Sequence, residues 1–169
     1  EQYALELLEK YGMSECKAVV TPMSETDLGA LPDGDPTTPE EVTTAKWYKS
    51  VIGGLLYLSR FSRPDISYTV STLGKYCRNP RFEHVIAAKR CLRYIKGTLK
   101  LGLLFKKCGF KSIVLQGYSD ANWAGDQNDR RSTSAYIFEL KEIGVVSWSS
   151  TKQQSVALST AESEYVALS

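Results

Sequence analysis

Apolar residues in the first hundred positions recur every three or four residues, which is the spacing of one face of an α-helix. This pattern predicts a first helix over residues 1–13 and a second over residues 43–61, capped by Thr43 or Thr44. Between them, residues 24–40 carry three prolines and five acidic residues, so this stretch is interpreted as a flexible linker.

Two more helices are predicted before residue 100. Because proline lacks a backbone N–H and fits the first turn of a helix, one helix breaks near Pro64 and another begins there, with Asp65 in its first turn. The strongest helical pattern covers residues 81–99, with Gly97 as its stop. Its apolar stripe consists of Val85, Ala88, Leu92 and Ile95.

Beyond residue 98 the chain changes to short runs rich in Val, Ile, Tyr, Phe and Trp, separated by turn residues, which is typical of strands. The predicted strands cover residues 101–107, 112–120, 134–140 and 144–151. The segment 141–144 between the last two is predicted to be a hairpin turn.

A final helix is predicted to begin at Ser159 or Thr160, and Glu162 stands where a capping box requires an acid. The chain ends inside that helix, so we expect a truncated element. The predicted fold class is therefore α+β. A helical half, residues 1–98, precedes a partial antiparallel sheet with one truncated helix, residues 99–169.

Charge is unevenly distributed, although the formal net charge is only +2. Residues 1–48 hold ten acids against three bases, whereas residues 75–107 hold ten bases against one acid. Four of these bases gather along the helix predicted over residues 81–99, namely Lys89, Arg90, Arg93 and Lys96. Such a face either binds nucleic acid or is a solvated helix surface.

Composition narrows the class of protein. With 43% hydrophobic and 24% charged residues, the chain has enough apolar content for a core and too little charge for extensive disorder. It has no apolar run of about 18 residues, so we expect no membrane span. The four cysteines form no CxxC pair, which favours reduced thiols and a cytoplasmic or nuclear location. No signal-peptide pattern opens the chain. Its first residue is Glu1 rather than Met, so we expect a processed product, a fragment or an incomplete sequence.

Three carboxylates are candidates for chemistry. Asp120 ends an apolar run, where a carboxylate is either a turn residue or faces solvent, a partner or a metal. Glu162 and Glu164 are two positions apart on the last predicted helix, so only one of them can face Asp120. For either glutamate the alternative role is to complement the helix dipole. The single histidine, His84, is expected to be a partly exposed structural residue rather than a phosphate contact.

Several long motifs occur in order along the chain. The text GYSDANWAGDQNDRRSTSAYIFEL, followed by GVVSWSSTKQQSVALSTAESEY, resembles the ribonuclease H region of copia-type retrotransposon polyproteins. Upstream, KYGMSECKAVVTPM, WYKSVIGGLLYLSRFSRPDI and AAKRCLRYIKGTLKLGLLF resemble the segment that precedes it there. The resemblance implies that residues 1–98 are the connector after the reverse transcriptase palm. Residues 99–169 would then begin a ribonuclease H-like domain.

The resemblance also implies a chemistry, which is metal-dependent cleavage of RNA in an RNA–DNA hybrid. Two magnesium or manganese ions would activate a water and stabilise the leaving oxygen. Asp120 matches the family's first catalytic aspartate and Glu162 its catalytic glutamate, with Glu164 the less favoured match. Asp120 and Glu162 would therefore be metal ligands, and the basic helix would lie where the hybrid passes.

Departures from the family pattern limit this expectation. Asn122 stands where the family commonly has an acid. The remaining catalytic aspartates would lie beyond Ser169, and the aspartates of the palm would lie before Glu1. Because two carboxylates rarely hold two magnesium ions, we expect little or no nuclease activity from this chain alone.

A different class of function is suggested by Arg90-Cys91-Leu92-Arg93, which satisfies the R-x-L-R pattern associated with translocated effectors of oomycete pathogens. The alternative is a secreted effector derived from a retroelement, which would act on host proteins inside host cells without catalysis. The motif has only three fixed residues and lies within a predicted helix, where a sorting receptor could not easily read it. A third alternative is a decayed fragment with an open sheet edge.

Overall fold

The computed structural model describes residues 1–24, 28–107, 109, 113–126 and 128–169. These residues form two compact units, Glu1–Gly102 and Leu103–Ser169. The boundary therefore falls after residue 102, whereas the sequence predicts it after residue 98. The fold class is α+β, as predicted, with the helices first and the sheet later in the chain.

The described part of the first unit is helical. Its elements are α1 (Gln2–Lys10), α2 (Pro39–Phe61), a 3-10 turn (Pro64–Ile66), α3 (Ser67–Gly74) and α4 (Phe82–Gly97). All four helices contribute to one apolar core, whose fully buried side chains include Leu8, Tyr48, Leu55, Leu73, Leu92 and Ile95. The break predicted at Pro64 is confirmed, because the 3-10 turn begins there and α3 follows it.

The start of α2 differs from the prediction, because the helix begins at Pro39 rather than after Thr43 or Thr44. Thr38 is the N-cap, and its hydroxyl accepts a hydrogen bond from the Glu41 backbone N–H at 3.2 Å. In return, the Glu41 carboxylate accepts from the Thr38 backbone N–H at 3.0 Å. The predicted linker therefore ends before residue 39, since proline at the first position and a capping box are features of a helix start.

Two glycines lie in the middle of α2 and have different surroundings. A Cβ atom on Gly54 would overlap Leu7 Cδ1 and would lie 3.5 Å from the Tyr3 hydroxyl, so α1 crosses α2 at this point. Gly53 faces open space. Gly54 therefore permits a close helix approach, and this contact offsets part of the low helix propensity of the pair.

The second unit contains a three-stranded antiparallel sheet in the order β1–β2–β3, followed by a helix. The elements are β1 (Leu115–Asn122), β2 (Thr133–Leu140), β3 (Gly144–Lys152) and α5 (Thr160–Leu168). The predicted turn between β2 and β3 is confirmed, because the Ile143 N–H bonds the Leu140 carbonyl at 2.9 Å.

One predicted strand is wrong. Residues 101–107 form no strand, although they are rich in β-forming side chains. The Lys106 N–H donates to the Ile143 carbonyl at 2.9 Å, but no ladder continues from this bond. The first residue of the next predicted strand, Ser112, lies outside the described residues.

Cys16, Cys77 and Cys91 are free thiols, whereas Cys108 lies outside the described residues. Burial raises the pKa of Cys91 to about 12, so this thiol stays protonated. No helix in the described part of the chain combines the length and the apolar composition needed to cross a membrane.

Candidate functional site

Asp120 is an exposed residue of β1 and pairs with Ala135 of β2. The neighbouring Ser134 hydroxyl lies 2.9 Å from Gln153 Nε2, which also donates to the Ser163 carbonyl of α5 at 2.9 Å. Successive residues of a strand point to opposite faces of a sheet. Asp120 therefore projects from the face opposite to the one that Ser134 shares with α5.

The candidate glutamate, Glu162, lies in the first turn of α5. Its backbone N–H bonds the hydroxyl of the N-cap Ser159 at 3.1 Å, so the predicted cap at Ser159 is confirmed. Its carboxylate accepts the Leu158 backbone N–H at 2.7 Å. The exposed Glu162 side chain thus binds the start of its own helix, while Glu164 is half-buried on the same helix.

Joint binding of a metal by Asp120 and Glu162 stays a prediction. Within the described ranges, no group of three or more His, Cys, Asp or Glu side chains is arranged to hold a metal ion. Asn122 lies two positions after Asp120, so its amide shares the sheet face of that carboxylate. Asp120 and Asn122 offer oxygen donors of the kind that magnesium prefers.

The loop that follows β1 is organised by a buried carboxylate, Asp126, which is only 4% exposed. Asp126 accepts the Asn128 backbone N–H at 2.9 Å and the Lys152 ammonium at 2.9 Å. Lys152 also reaches Asp129 at 2.8 Å. The Lys152 hydrogen bond lowers the pKa of the Asp129 carboxyl. This cluster of Asp126, Asp129 and Lys152 was not predicted from the sequence. The one local signal was the turn-rich sequence GDQND, which does not show that Lys152 lies nearby.

A second contact connects this end of β1 to the segment before α5. The indole Nε1 of Trp123 donates to the Ala157 carbonyl at 3.0 Å, and the ring is 44% exposed. Ala157 itself is buried. Two sets of contacts therefore fix the end of β1, the strand that carries Asp120. One is the ion pair and hydrogen bonds of Asp126, and the other is this indole bond.

Two of the four predicted nucleic-acid contacts on α4 also bind the chain itself. Arg90 Nη2 donates to the Thr21 hydroxyl at 2.8 Å, and Arg93 Nε donates to the Lys17 carbonyl at 2.6 Å. These bonds attach the segment 16–23 to α4. A Cβ on Gly97 would lie 3.0 Å from the Ala18 Cβ, so this glycine makes room for the segment.

The predicted end of α4 at Gly97 is confirmed. Gly97 is the last helical residue, and the C-cap is Thr98, whose φ is −129°. Close approach to Ala18 is the structural reason for a glycine at this position.

The other two basic candidates differ in exposure. Lys89 is exposed, and its ammonium lies 5.7 Å from the centre of the Trp47 ring, within the range of a cation–π contact. Lys96 is half-buried near the end of α4. Binding of nucleic acid by this set of four remains a prediction.

The R-x-L-R motif lies within the helix α4. Cys91 and Leu92 are fully buried in the core, and the flanking Arg90 and Arg93 make the two bonds to segment 16–23. In the folded chain this motif is not an extended, accessible peptide.

His84 is the structural residue that the sequence predicts, but the predicted partial exposure is wrong, because its side chain is fully buried. Its Nδ1 accepts the Arg81 backbone N–H at 2.8 Å, which assigns the proton to Nε2. Nε2 then donates to the Leu28 carbonyl at 2.8 Å, and the ring stacks on Tyr76 with centroids 3.8 Å apart. Burial lowers the pKa of His84, and both ring nitrogens are occupied, so phosphate contact is excluded.

Comparison with known proteins adds what the geometry leaves open. The chain is 42% identical over 164 residues to the Retrovirus-related Pol polyprotein from transposon RE1 of Arabidopsis thaliana. It is 40% identical over 169 residues to that from transposon TNT 1-94 of Nicotiana tabacum. These matches cover 97% and 99% of this chain but only 11% and 12% of the two polyproteins.

A shorter relative has a different name. The chain is 48% identical over 122 residues to Secreted RxLR effector protein 161 of Plasmopara viticola. This match covers 72% of this chain and 84% of the effector protein. No family model and no solved structure matches the chain.

Proposed function

The chain belongs to the copia-type retrotransposon Pol polyprotein family, and from this we propose that it takes part in the cleavage of RNA within RNA–DNA hybrids. Its first unit would serve as the connector after the reverse transcriptase palm, and its second as the beginning of a ribonuclease H-like domain. The observation that carries the proposal is the exposed side chain of Asp120 on β1, within a chain similar to Pol polyproteins over nearly its whole length.

Asp120 is the carboxylate that we propose as the first metal ligand. Magnesium, or manganese in its place, supplies an activated water and a stabilised leaving oxygen when bound. The second ligand would be Glu162 or else Glu164 on the same helix. Because Asp120 projects from the sheet face opposite to α5, either glutamate would have to reach it around the edge of the sheet, and Glu162 must also release the Leu158 N–H. Because this chain spans about a tenth of the length of the Pol polyproteins that it matches, the remaining ligands would come from other parts of such a polyprotein.

The basic surface of α4 is proposed to contact the phosphates of the hybrid. Lys89 and Lys96 have side chains available for this role, whereas Arg90 and Arg93 have one nitrogen each in bonds to segment 16–23. Contacts to phosphate supply affinity without sequence preference and weaken with added salt. The proposed location is the cytoplasm or the nucleus, where such a polyprotein would meet its hybrid, with no membrane partner.

The test uses a chimera in which this chain replaces the matching segment of the tobacco polyprotein. We expect the chimera to cleave a labelled RNA–DNA hybrid in magnesium or manganese, and Asp120→Asn to lower the rate by roughly a hundredfold or more. Glu162→Gln and Glu164→Gln, compared side by side, identify the second ligand. The proposal fails if Asp120→Asn leaves the cleavage rate of a folded chimera unchanged.

The isolated chain provides a second arm of the test. Two carboxylates hold hard cations weakly, so we expect little or no cleavage from the 169-residue chain. Cleavage by the isolated chain that Asp120→Asn abolishes would show that the carboxylates of this chain suffice. The proposal that other parts of a Pol polyprotein supply further metal ligands would then be wrong. The proposed cleavage of RNA at Asp120 would still hold.

A second candidate function is that of a secreted effector acting on host proteins. The similarity to the Plasmopara viticola effector favours it, whereas the burial of Cys91 and Leu92 argues against reading R-x-L-R in the folded chain. A cell-entry assay with Arg90→Ala and Arg93→Ala separates the two functions. Entry that depends on these arginines, in variants with unchanged thermal unfolding, would favour the effector function.

A further inference from the structure

The outer surface of α4 carries a groove of about 490 Å³, and we propose that this groove binds an acidic peptide segment with a large apolar side chain, presented by a partner protein. The groove lies within the first unit, between α4, Met13 and Leu28. The proposal goes beyond hybrid cleavage and does not rest on it, because Asp120 and Glu162 lie in the other unit. The groove shares three basic residues with the proposed phosphate contacts, namely Lys89, Arg90 and Arg93. An acidic peptide and a hybrid would therefore compete for this surface.

The floor of the groove is aliphatic. Met13, Leu28, Ile86 and Ala87 line it, and Ile86 is 51% exposed although it lies in the middle of α4. Burial of an apolar side chain of a ligand in an aliphatic pocket open to water favours binding, because apolar surface is removed from water. A leucine or phenylalanine of a partner fits this requirement.

The rim of the groove is cationic. Lys89, Arg90 and Arg93 contribute three positive charges, and Glu83 is the single acid among the described residues that line the groove. The bonds of Arg90 and Arg93 to segment 16–23 use one nitrogen each. Arg90 Nε is buried and has no hydrogen-bond partner among the described residues, so this guanidinium is incompletely satisfied. Carboxylates beside the apolar anchor would complement the rim.

The same features distinguish a peptide from a nucleic acid. Proteins that hold single-stranded nucleic acid combine basic side chains with aromatic rings on which the bases stack. No aromatic residue is among the described residues that line this groove. Phosphates would use the cationic rim but would leave the aliphatic floor in water. The combination of rim and floor therefore favours an acidic peptide with an apolar anchor.

The test measures fluorescence anisotropy with the full 169-residue chain. The probe is a labelled twelve-residue peptide of glutamate and aspartate with two leucines four positions apart. A matched peptide carries serine in place of both leucines, and an unlabelled RNA–DNA hybrid serves as competitor. Ile86→Ser removes part of the floor, Lys89→Ala part of the rim, and Lys100→Ala, at an exposed lysine outside the lining, is the control variant.

We expect saturable binding of the leucine peptide. It should weaken by roughly tenfold with the serine peptide or with Ile86→Ser, because the buried apolar contact is lost. Lys89→Ala and added salt should also weaken it, whereas Lys100→Ala should leave it unchanged. Ile86 is half exposed, so its serine variant should keep the thermal unfolding of the parent chain.

Two results would overturn the proposal. One is the absence of saturable binding of the leucine peptide at millimolar concentration. The other is equal binding of the leucine and serine peptides, insensitive to Ile86→Ser and displaced by the hybrid. The second result would mean that the rim is a general polyanion surface that includes nucleic acid among its ligands.

Discussion

His84 Nε2 lies 2.8 Å from the carbonyl oxygen of Leu28, a residue 56 positions earlier in the chain. This bond attaches the segment after residue 27 to the first turn of α4, and Tyr76 reinforces it by bonding the Gly29 carbonyl at 3.1 Å. Since Leu28 also lines the groove on α4, the neutral imidazole shapes one wall of that groove.

Acid should therefore destabilise the first unit through His84. Its ordinary pKa is 6.5, and burial lowers the pKa in the folded chain. The unfolded chain therefore takes up a proton more readily than the folded chain. The contribution of neutral His84 to the free energy of unfolding is complete above pH 6.5 and is lost as the pH falls through the folded pKa. The measurement is the free energy of unfolding between about pH 5 and pH 7.5, followed by far-UV circular dichroism.

His84→Leu tests the same bonds at neutral pH. It leaves the Arg81 N–H and the Leu28 carbonyl unsatisfied, and we expect a loss of about 2–4 kcal/mol at pH 7.5. His84→Gln keeps one donor and one acceptor, so it should lose less and should flatten the pH dependence. A variant without histidine that retained the full pH dependence would assign that dependence to groups other than His84.

The second prediction concerns Arg63, whose side chain is only 4% exposed. Its guanidinium bonds the Asp65 carboxylate at 2.8 Å and the Thr98 carbonyl at 3.1 Å, and Tyr94 donates to Asp65 at 2.8 Å. Arg63→Ala would leave this buried network without its cation, and we expect a loss of about 3–5 kcal/mol in chemical denaturation. Arg63→Lys should recover only part of it, since one ammonium cannot bond both partners in the same geometry.

Asp65 adds a second, more acidic transition. Burial would raise its pKa, but the hydrogen bonds from Arg63 and Tyr94 outweigh burial and lower it below 3.8. The contribution of Asp65 to the free energy of unfolding is therefore present above the pKa that this carboxyl has in the unfolded chain. It is lost as the pH falls through the pKa of the folded chain. Tyr94→Phe, a matched variant that removes one bond, should move this acid transition to higher pH. An unchanged transition would mean that Arg63 alone sets the pKa of Asp65.

The two glycines of α2 provide a third prediction with an internal control. Gly53→Ala adds a methyl group to open space, and we expect a gain of up to about 1 kcal/mol from helix propensity. Gly54→Ala forces Leu7 to move within a packed core, and we expect a net loss of roughly 1–2 kcal/mol. Thermal unfolding of both variants gives the comparison. Equal effects at the two positions would contradict the close approach of α1 to α2.

Local signals in the sequence predicted much of the fold. The break at Pro64, the cap at Ser159, the turn at 141–144 and the antiparallel strands depend on residues close to one another in the chain. The start of α2 was missed because Pro39 and Glu41 resemble the linker in composition, although they form a helix start. Residues 101–107 were predicted as a strand from β-propensity, which does not provide a pairing partner.

The candidate site shows the same limit. The sequence identifies Asp120 and Glu162, but the strand register and a cap bond determine which way each carboxylate points. The bonds of Arg90 and Arg93 to Thr21 and Lys17 connect residues 69 and 76 positions apart. Helical periodicity describes a single helix and carries no information about a segment that packs on it from so far away.

The fourth prediction compares two aspartates of the loop after β1. Asp126 is buried and bonds both Lys152 and the Asn128 N–H, whereas Asp129 meets the same lysine with a side chain that is 38% exposed. Asp126→Ala should lower the free energy of unfolding of the second unit by about 2–4 kcal/mol, because it removes the acceptor of the Asn128 N–H and the enclosed charge partner of Lys152. Asp129→Ala should cost under about 1 kcal/mol, as for an exposed ion pair.

The readout for this pair should report on the second unit alone. Trp123 and Trp148 lie in that unit, and substitution of Trp47 by phenylalanine removes the remaining indole, so tryptophan fluorescence then follows the unfolding of the sheet. Salt should weaken the Asp129 contribution more than that of Asp126, since solvent screens the exposed pair. Equal losses from the two alanine variants would show that Lys152 alone, and not the enclosed Asp126 carboxylate, organises the loop that holds the end of the Asp120 strand.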